Sequence, residues 1–308
     1  MESATDTPLI VVAGATGELG GLIAHAIRER GAGVRALVRP GTDPTRLADL
    51  RANGVEICEV SLSPVPELVK ACAGAHCVVS ALSGLGHVMI DLQTNLLEAA
   101  EEAGVKRFIP SDFSLDFTGL PRGTNRNLDF RKTFQEVADG TSLQVTSVLN
   151  GMFTDLLKGD APLIAKPISR VIYWGDAGQQ LDMTSMHDTA AYTARVAMDS
   201  DTPRWLRIAG DVVDAEGLRR AASDAYGKPF KKLRIGGIGV LSRMIDVTRL
   251  VAPQRDEVFP PWQGMQYMRN MMSGRGKHPS LDNDRYPDME WQSVREVLEG
   301  AFVAHQGE

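Results

Sequence analysis

The chain has 308 residues, 43% of them apolar, and a formal net charge of −6. That length suffices for one large core, or for a large domain with a small one. The acidic balance and the lack of a basic run argue against nucleic acid and anionic membrane surfaces as main partners.

No apolar stretch is long enough to span a bilayer. Residues 1–8 are polar and lack the apolar segment of a signal peptide. Cys58, Cys72 and Cys77 show neither zinc spacing nor a disulfide framework. They read as buried thiols in a reducing compartment, and the expected location is cytoplasmic.

The first expected element is a strand over 9–13. It leads into Gly14-Ala15-Thr16-Gly17-Glu18-Leu19-Gly20 and an amphipathic helix over 18–30. A strand, a glycine-rich turn and a helix in that order form a phosphate site for a dinucleotide. Gly14 permits a tight turn with positive φ. Gly17, lacking a Cβ, lets the backbone approach a pyrophosphate, and Gly20 allows close packing of the helix. Thr16 adds a hydroxyl donor, and Leu19 belongs to the first helical turn, whose amides face the anion. The plainer alternative is a glycine-rich loop that only turns the chain.

A second strand over 33–38 ends at Arg39, 19 residues beyond Gly20. A site for NAD ends this strand with Asp or Glu, which accepts from the ribose 2′-hydroxyl. A guanidinium there pairs instead with a 2′-phosphate, so the expected cofactor is NADPH/NADP. Arg35 reads as a solvated side chain.

Helices over 44–52, 65–72, 87–103 and 125–138 alternate with strands over 55–60, 75–82, 105–109 and 143–149. Such alternation predicts a parallel sheet covered on both faces. The run 75–82 is almost wholly apolar, as a doubly buried strand should be. Met89, Leu92, Leu96 and Ala100 form one helical stripe. Ala81, Leu82 and Ser83 follow the fourth strand, and Ser111 and Phe113 follow the fifth. Both groups lie at the carboxyl edge of the sheet, where open α/β folds bind ligands.

Beyond Asn150 the alternation stops. Strands are expected at 170–174, 205–208 and 231–235, helices at 187–198, 214–226 and 290–304, and a surface loop over 273–288. The fold class is α/β: a Rossmann-type doubly wound parallel sheet with a second, smaller α+β substrate lobe. Residues 1–152 are expected to form the NADP-binding domain. Residues 153–308 are expected to form the smaller lobe, with some segments returning to the main sheet.

Several segments together resemble the NmrA-like family, an atypical branch of the short-chain dehydrogenases. They are Gly14 to Gly20, Leu37-Val38-Arg39, Gln93 to Val105, Lys106-Arg107-Phe108-Ile109-Pro110-Ser111-Asp112-Phe113, and Leu143 to Phe153. The resemblance is strongest to the isoflavone reductases and phenylcoumaran benzylic ether reductases. Their KRFIPSEFG-type motif stands here with Asp112 for Glu and Ser114 for the final Gly. The likeness covers most of residues 8–235. It implies NADPH as cofactor and the reduction of a small, often aromatic, molecule.

The resemblance also implies a catalytic role for Lys132, which matches the family's active-site lysine. Its ammonium would fix the nicotinamide ribose and stabilise or protonate an oxyanion. Read from the residues alone, Arg126, Arg131 and Lys132 instead form a solvated helix face. The tyrosine that short-chain dehydrogenases carry four residues before the lysine is replaced by Leu128. A register slip of two residues would put Phe130 at the lysine position.

Ser111 orients substrate or water, or caps a turn. Phe113 contacts the cofactor and substrate, or packs in the core. Asn150 bonds the cofactor carboxamide or a substrate carbonyl, or satisfies its own loop. Met152 and Phe153 are expected in the substrate pocket. Met265, Met268, Met271 and Met272 read as core or contact surface before pocket wall. His87 reads as structural or solvated before acid. Asp282-Asn283-Asp284 lacks the Gly and Glu of a calcium loop, and no metal site is expected.

The sequence thus favours an NADPH-dependent reductase transferring hydride to a carbonyl, an activated alkene or a benzylic carbon. The rival is an NADP(H)-binding redox sensor without turnover. The expected partner is a small-molecule substrate, and a homodimer is compatible with the sequence.

Overall fold

Leu9–Ala13 (β1) is rich in β-branched residues and almost wholly buried, as a strand covered on both faces must be. In the computed structural model, which describes residues 7–159 and 161–306 with side chains through residue 300, this strand lies inside a parallel sheet. Residues 1–6, part of the polar segment read above, lie outside the described residues.

The remaining strands of the sheet are Gly33–Val38 (β2), Glu56–Glu59 (β3), Cys77–Ser80 (β4), Arg107–Ile109 (β5) and Gln144–Val145 (β6). Helices Glu18–Glu29 (α1), Thr45–Ala52 (α2), Val65–Cys72 (α3), Gln93–Glu102 (α4) and Arg126–Ala138 (α5) alternate with them. The order is β3-β2-β1-β4-β5-β6, with parallel pairing throughout. The order therefore reverses between β1 and β4, and open α/β folds bind ligands in the crevice beyond the carboxyl ends at such a reversal. This is the Rossmann-type sheet expected from the alternation, accompanied by additional small sheets.

Two compact units divide the chain. The first is Met1–Asp112 with Phe130–Val148 and Thr189–Leu206, and the second is Phe113–Asp129 with Leu149–Asp188 and Arg207–Glu308. The boundary expected at residue 152 came with segments of the second part returning to the main sheet, and these units interleave. Arg107 supplies a physical reason for the return of 189–206. Its guanidinium is 2% exposed and donates to the Val196 carbonyl at 2.7 Å and to Thr202 Oγ1 at 2.6 Å. A buried cation requires such partners.

Inside the first unit, Val11, Val78, Leu96, Phe108, Phe134 and Val145 share one core. The Phe108 and Phe134 rings lie 6.2 Å apart between centroids. Cys72 and Cys77 are buried, and burial pushes their thiols up to about 11 and about 12. Cys58 is only half-buried, contrary to the expectation for all three.

The second unit holds two small sheets. One joins Ile164–Ala165, Arg170–Trp174 and Lys231–Gly236; the other joins Met152–Phe153, Leu181–Thr184 and Asp211–Val213. Its helices include Ala215–Ala225, whose first turn is capped by Asp214 Oδ1 accepting from Gly217 N at 2.7 Å. Among the described residues, no helix is long and apolar enough to cross a membrane.

Several elements depart from the sequence expectation, which had no strands at Met152–Phe153, Ile164–Ala165, Leu181–Thr184 or Asp211–Val213. The helix expected over 87–103 begins as a wide π-type turn, His87–Leu92, in which the Gln93 side chain donates to the Met89 carbonyl. The strand expected over 143–149 breaks after Val145, where Ser147 N bonds Arg204 O at 2.9 Å instead of continuing along β5. The helix Ile238–Val251 was not expected; it buries only Leu241 and Ile245, so its period is blurred.

Phe134→Ala should cost about 3–5 kcal/mol of stability, because a fully buried ring leaves a cavity in a close-packed core. Urea denaturation of the two proteins measures this.

Candidate functional site

The turn between β1 and α1 is closed by its own backbone. Gly14 has φ +87°, and a Cβ there would lie 2.5 Å from the Ala81 carbonyl oxygen. At Gly20 a Cβ would lie 2.2 Å from the Gly14 oxygen, so the helix start packs on the turn itself. Gly17 differs: a Cβ would meet only the Gly14 oxygen at 3.4 Å, leaving its outer side open. Gly17 also caps α1 without a side-chain hydrogen bond. The first helical amides, with half-buried Leu19 among them, thus retain their donors for an anion.

One arginine touches this turn, and another ends the neighbouring strand. Arg39 is exposed directly after β2, and Thr42 fixes its backbone through N and Oγ1, at 3.1 and 2.6 Å from the Arg39 carbonyl. No partner of the Arg39 guanidinium lies among the described residues. Arg46, on α2, donates through Nη2 to the Thr16 carbonyl at 3.2 Å. The sequence reading missed Arg46, because a lone arginine on a polar helix carries no local signal. Arg35 is engaged rather than solvated: it pairs with Glu56 at 2.8 Å and donates to the Ala71 and Ala73 carbonyls. The glycine cradle and the unengaged arginine fit a dinucleotide bearing a 2′-phosphate.

The ends of β4 and β5 are locked together by Gln93, which is fully buried. Its Oε1 accepts from Ser80 Oγ at 2.7 Å and from Ser111 N at 2.9 Å. The helix QTNLLEAAEE carries other polar residues, so nothing in the sequence sets this glutamine apart. Ser111 Oγ donates to the Leu82 carbonyl at 2.7 Å, so its hydroxyl ties two strand ends rather than capping a helix. Ala81 N bonds Ala13 O at 2.8 Å, which continues the ladder past β4; Ser83 is exposed beyond it.

Helix α5 carries Lys132, which is half-buried. The preceding Arg131 donates through Nε to the Ser111 carbonyl at 3.0 Å. Phe130 packs its ring on Gly86, 3.3 Å from where a Cβ would stand. Leu128 is buried where a dehydrogenase would hold tyrosine.

Asp112 is fully buried. Its Oδ2 accepts from Ser147 Oγ at 2.7 Å and from Gln135 Nε2. Arg204 donates to Ser147 Oγ at 2.9 Å, to Asp139 Oδ1 at 3.0 Å, and to Gln135 Oε1. Burial pushes the Asp112 carboxyl up to about 6, while Ser147, Arg131, Arg204 and Gln135 pull it down. The sequence reading saw Asp112 only as a departure from a motif.

Within the second unit, Phe113 and Met152 are buried and Phe153 is half-buried. Asn150 is fully buried, and neither polar atom of its amide has a partner among the described residues; its backbone carbonyl accepts from Thr184 Oγ1 at 2.7 Å. Gly151 adopts φ +69°, and a Cβ there would lie 2.2 Å from the Asp182 carbonyl oxygen. Met268, Met271 and Met272 are core residues. In the first unit, His87 is exposed and pairs with Asp91 at 3.1 Å. Asp282 accepts from Arg207 N at 2.8 Å, and no cluster able to hold a metal occurs among the described residues.

The family model described as "NmrA-like family" matches residues 6–283. The chain is 26% identical to "Isoflavone reductase homolog IRL" of Zea mays, over 96% of this chain and 98% of that protein. It is 27% identical to "Bifunctional pinoresinol-lariciresinol reductase 1" of Linum usitatissimum, over 76% and 80% of the two chains. Its fold is similar to that of leucoanthocyanidin reductase from Vitis vinifera, solved as a binary complex with NADPH. There the TM-score is 0.78 at 17% identity, over 96% of this chain and 99% of the other.

Asp112 has a consequence for stability. Its folded pKa of about 6 exceeds the ordinary carboxylate value. Its contribution is therefore most favourable below the unfolded pKa and is lost as pH rises from about 4 through about 6. Urea denaturation at both ends of that window should show Asp112→Asn losing less stability than the wild type as pH rises.

Proposed function

Because this chain belongs to the NmrA-like family, we propose that it is an NADPH-dependent reductase of a small, aromatic molecule. The observation that carries the reading is the glycine cradle, where a Cβ at Gly14 or Gly20 would strike backbone and Gly17 alone faces open space. Backbone that admits no side chain beside an uncapped helix start suits a pyrophosphate. Arg39 holds the 2′-phosphate, and Arg46 adds a second positive charge at the same turn.

NADPH, when bound, supplies the hydride. Ala81, Leu82 and Ser83 border the cofactor beside Gly14, and Ser111 and Lys132 serve its nicotinamide half. The Lys132 ammonium orients the nicotinamide ribose and stabilises the oxyanion of a substrate as charge develops there. Ser111, whose hydroxyl proton is engaged by Leu82, keeps acceptor capacity toward a substrate hydroxyl or water. Asn150 offers a buried amide with both donor and acceptor unused. Phe113, Met152 and Phe153 contribute apolar contact to an aromatic substrate. The relatives support this class by their names: an isoflavone reductase homolog, a pinoresinol-lariciresinol reductase and a leucoanthocyanidin reductase.

Protein loaded with NADPH should lose its bound-cofactor fluorescence stoichiometrically with one class among aromatic enones, quinones and propenylphenol derivatives. Tight binding without oxidation across that panel would instead favour a redox sensor.

Lys132→Ala should slow single-turnover oxidation by roughly 10²–10⁴-fold while weakening NADPH binding far less; equal rates would remove Lys132 from the chemistry. Arg39→Ala should lower NADPH affinity by about 10-fold or more, the worth of one charge-assisted hydrogen bond. NADH affinity should stay near the wild-type value, as calorimetry with each cofactor would record.

A further inference from the structure

Six of the nine large apolar side chains exposed among the described residues lie between residues 235 and 259: Ile235, Val240, Val247, Leu250, Val251 and Phe259. Single exposed apolar residues are ordinary, but their concentration marks an interaction surface. Together the six expose on the order of 600 Å², the upper end for the largest apolar patch of a monomer.

Four of the six stand on one helix of the second unit, Ile238–Val251. Its inner face buries Leu241 and Ile245, and Thr248 Oγ1 reaches Met265 Sδ at 3.9 Å on the helix Pro261–Met272. The face beside it carries Val240, Met244, Val247 and Val251, at spacings of four, three and four. Those are the spacings by which one helix packs along another in a coiled coil. Val240, Arg243, Met244, Val247 and Thr248 line an open groove of about 350 Å³ along this seam. Val247 is 59% exposed, Val251 73% and the flanking Leu250 82%.

The seam is complementary to itself. Two copies of the helix can lie antiparallel with Met244 of one against Val247 of the other. Val240 then meets Val251, and the two-fold axis repeats both layers. Arg243 and Asp246 are exposed on one flank of the seam, and neither forms an ion pair among the described residues. An antiparallel two-fold brings like flanks together. In this register Arg243 of each copy lies about 3 Å, measured along the axis, from the level of the other copy's Asp246. Opposite charges thus meet twice, while the stem of Arg243 covers Leu250 of the second copy.

The area also suffices. An interface about 65% apolar that used the whole patch would bury on the order of 900 Å² per copy, and a stable dimer needs about 800 Å².

We propose that this face of the helix Ile238–Val251 is a homodimer interface, in which the helix pairs antiparallel with the same helix of a second copy.

Sedimentation equilibrium of the full chain over about 1–100 μM tests this. The wild type should be dimeric at the upper end. Val247→Glu puts a charge in the middle of the apolar seam and should raise the dimer Kd by about 100-fold or more. Arg243→Glu and Asp246→Arg, each alone, set like charges together at both ends and should raise Kd by about 10-fold. An equimolar mixture of those two variants should associate with the wild-type affinity, because each cross-pair again joins opposite charges. All three positions are exposed, so thermal unfolding of each variant should match the wild type at concentrations where both are monomeric.

A wild type that stays monomeric at about 100 μM overturns the proposal and leaves the face to a different partner. A dimer indifferent to Val247→Glu overturns it as well, since the interface then lies elsewhere. If Val247→Glu unfolds, the charge variants decide. A mixture that associates no better than its components overturns the antiparallel pairing and the proposal with it. No outcome depends on cofactor or turnover, so the reductase reading stands or falls separately.

Discussion

The closeness of two backbones governs the first unit. The exit of β1 and the exit of β4 approach until no side chain fits at residue 14, where a Cβ would stand 2.5 Å from the Ala81 carbonyl. That approach follows from the pairing of β1 with β4, which runs from Ile10↔Cys77 to Ala13↔Ser80. Because the strand order reverses at this pair, the connections of the neighbouring strands depart to opposite sides. The opening is left to backbone amides. A helix start placed there offers its free amides to an anion, and on the proposed reading Arg39 and Arg46 select which anion.

β5 shows how the unit holds its remaining parts in register. It is three residues long, with a buried cation at its start and a buried carboxyl three residues past its end. Arg107 holds the segment of Val196 and Thr202, and Asp112 holds Gln135 and Ser147. Buried charges are a poor source of net stability, since desolvation offsets most of the attraction. What they supply is position: a guanidinium or carboxylate shifted by one residue would lose its partners outright. Short strands have few ladder bonds to fix their neighbours, and these side chains take over that task.

What the sequence disclosed followed from distance along the chain. The glycine turn and the strand–helix alternation are local patterns, and both were legible. Gln93 reaches Ser111 across 18 residues, and Arg204 reaches Gln135 across 69. No spacing rule announces such pairs, so Gln93 and the Asp112 ring appeared only in three dimensions. Arg46 escaped for another reason: its exposed helix gives an arginine beside the phosphate turn the same look as one in solvent. The helix Ile238–Val251 was missed because Val247, Leu250 and Val251 are exposed apolar residues, which hides the two that are buried. The familiar motif around Ser111 located the strand exit but was silent on what Asp112 does there.

The three glycines of the phosphate turn are not equivalent under mutation. Gly14 and Gly20 are demanded by the chain itself, since added atoms would strike backbone. Gly17 has an ordinary helix-entry conformation, φ −87° and ψ 164°, and open space outside it. A methyl group there would trouble the fold little and, on the proposed reading, would occupy the pyrophosphate's room. Position 17 is thus where one base change can separate inheritance of the architecture from inheritance of the activity. On that reading, descendants altered there would keep the shape and drift free of the cofactor, whereas a side chain at 14 or 20 would strike backbone and strain the fold itself.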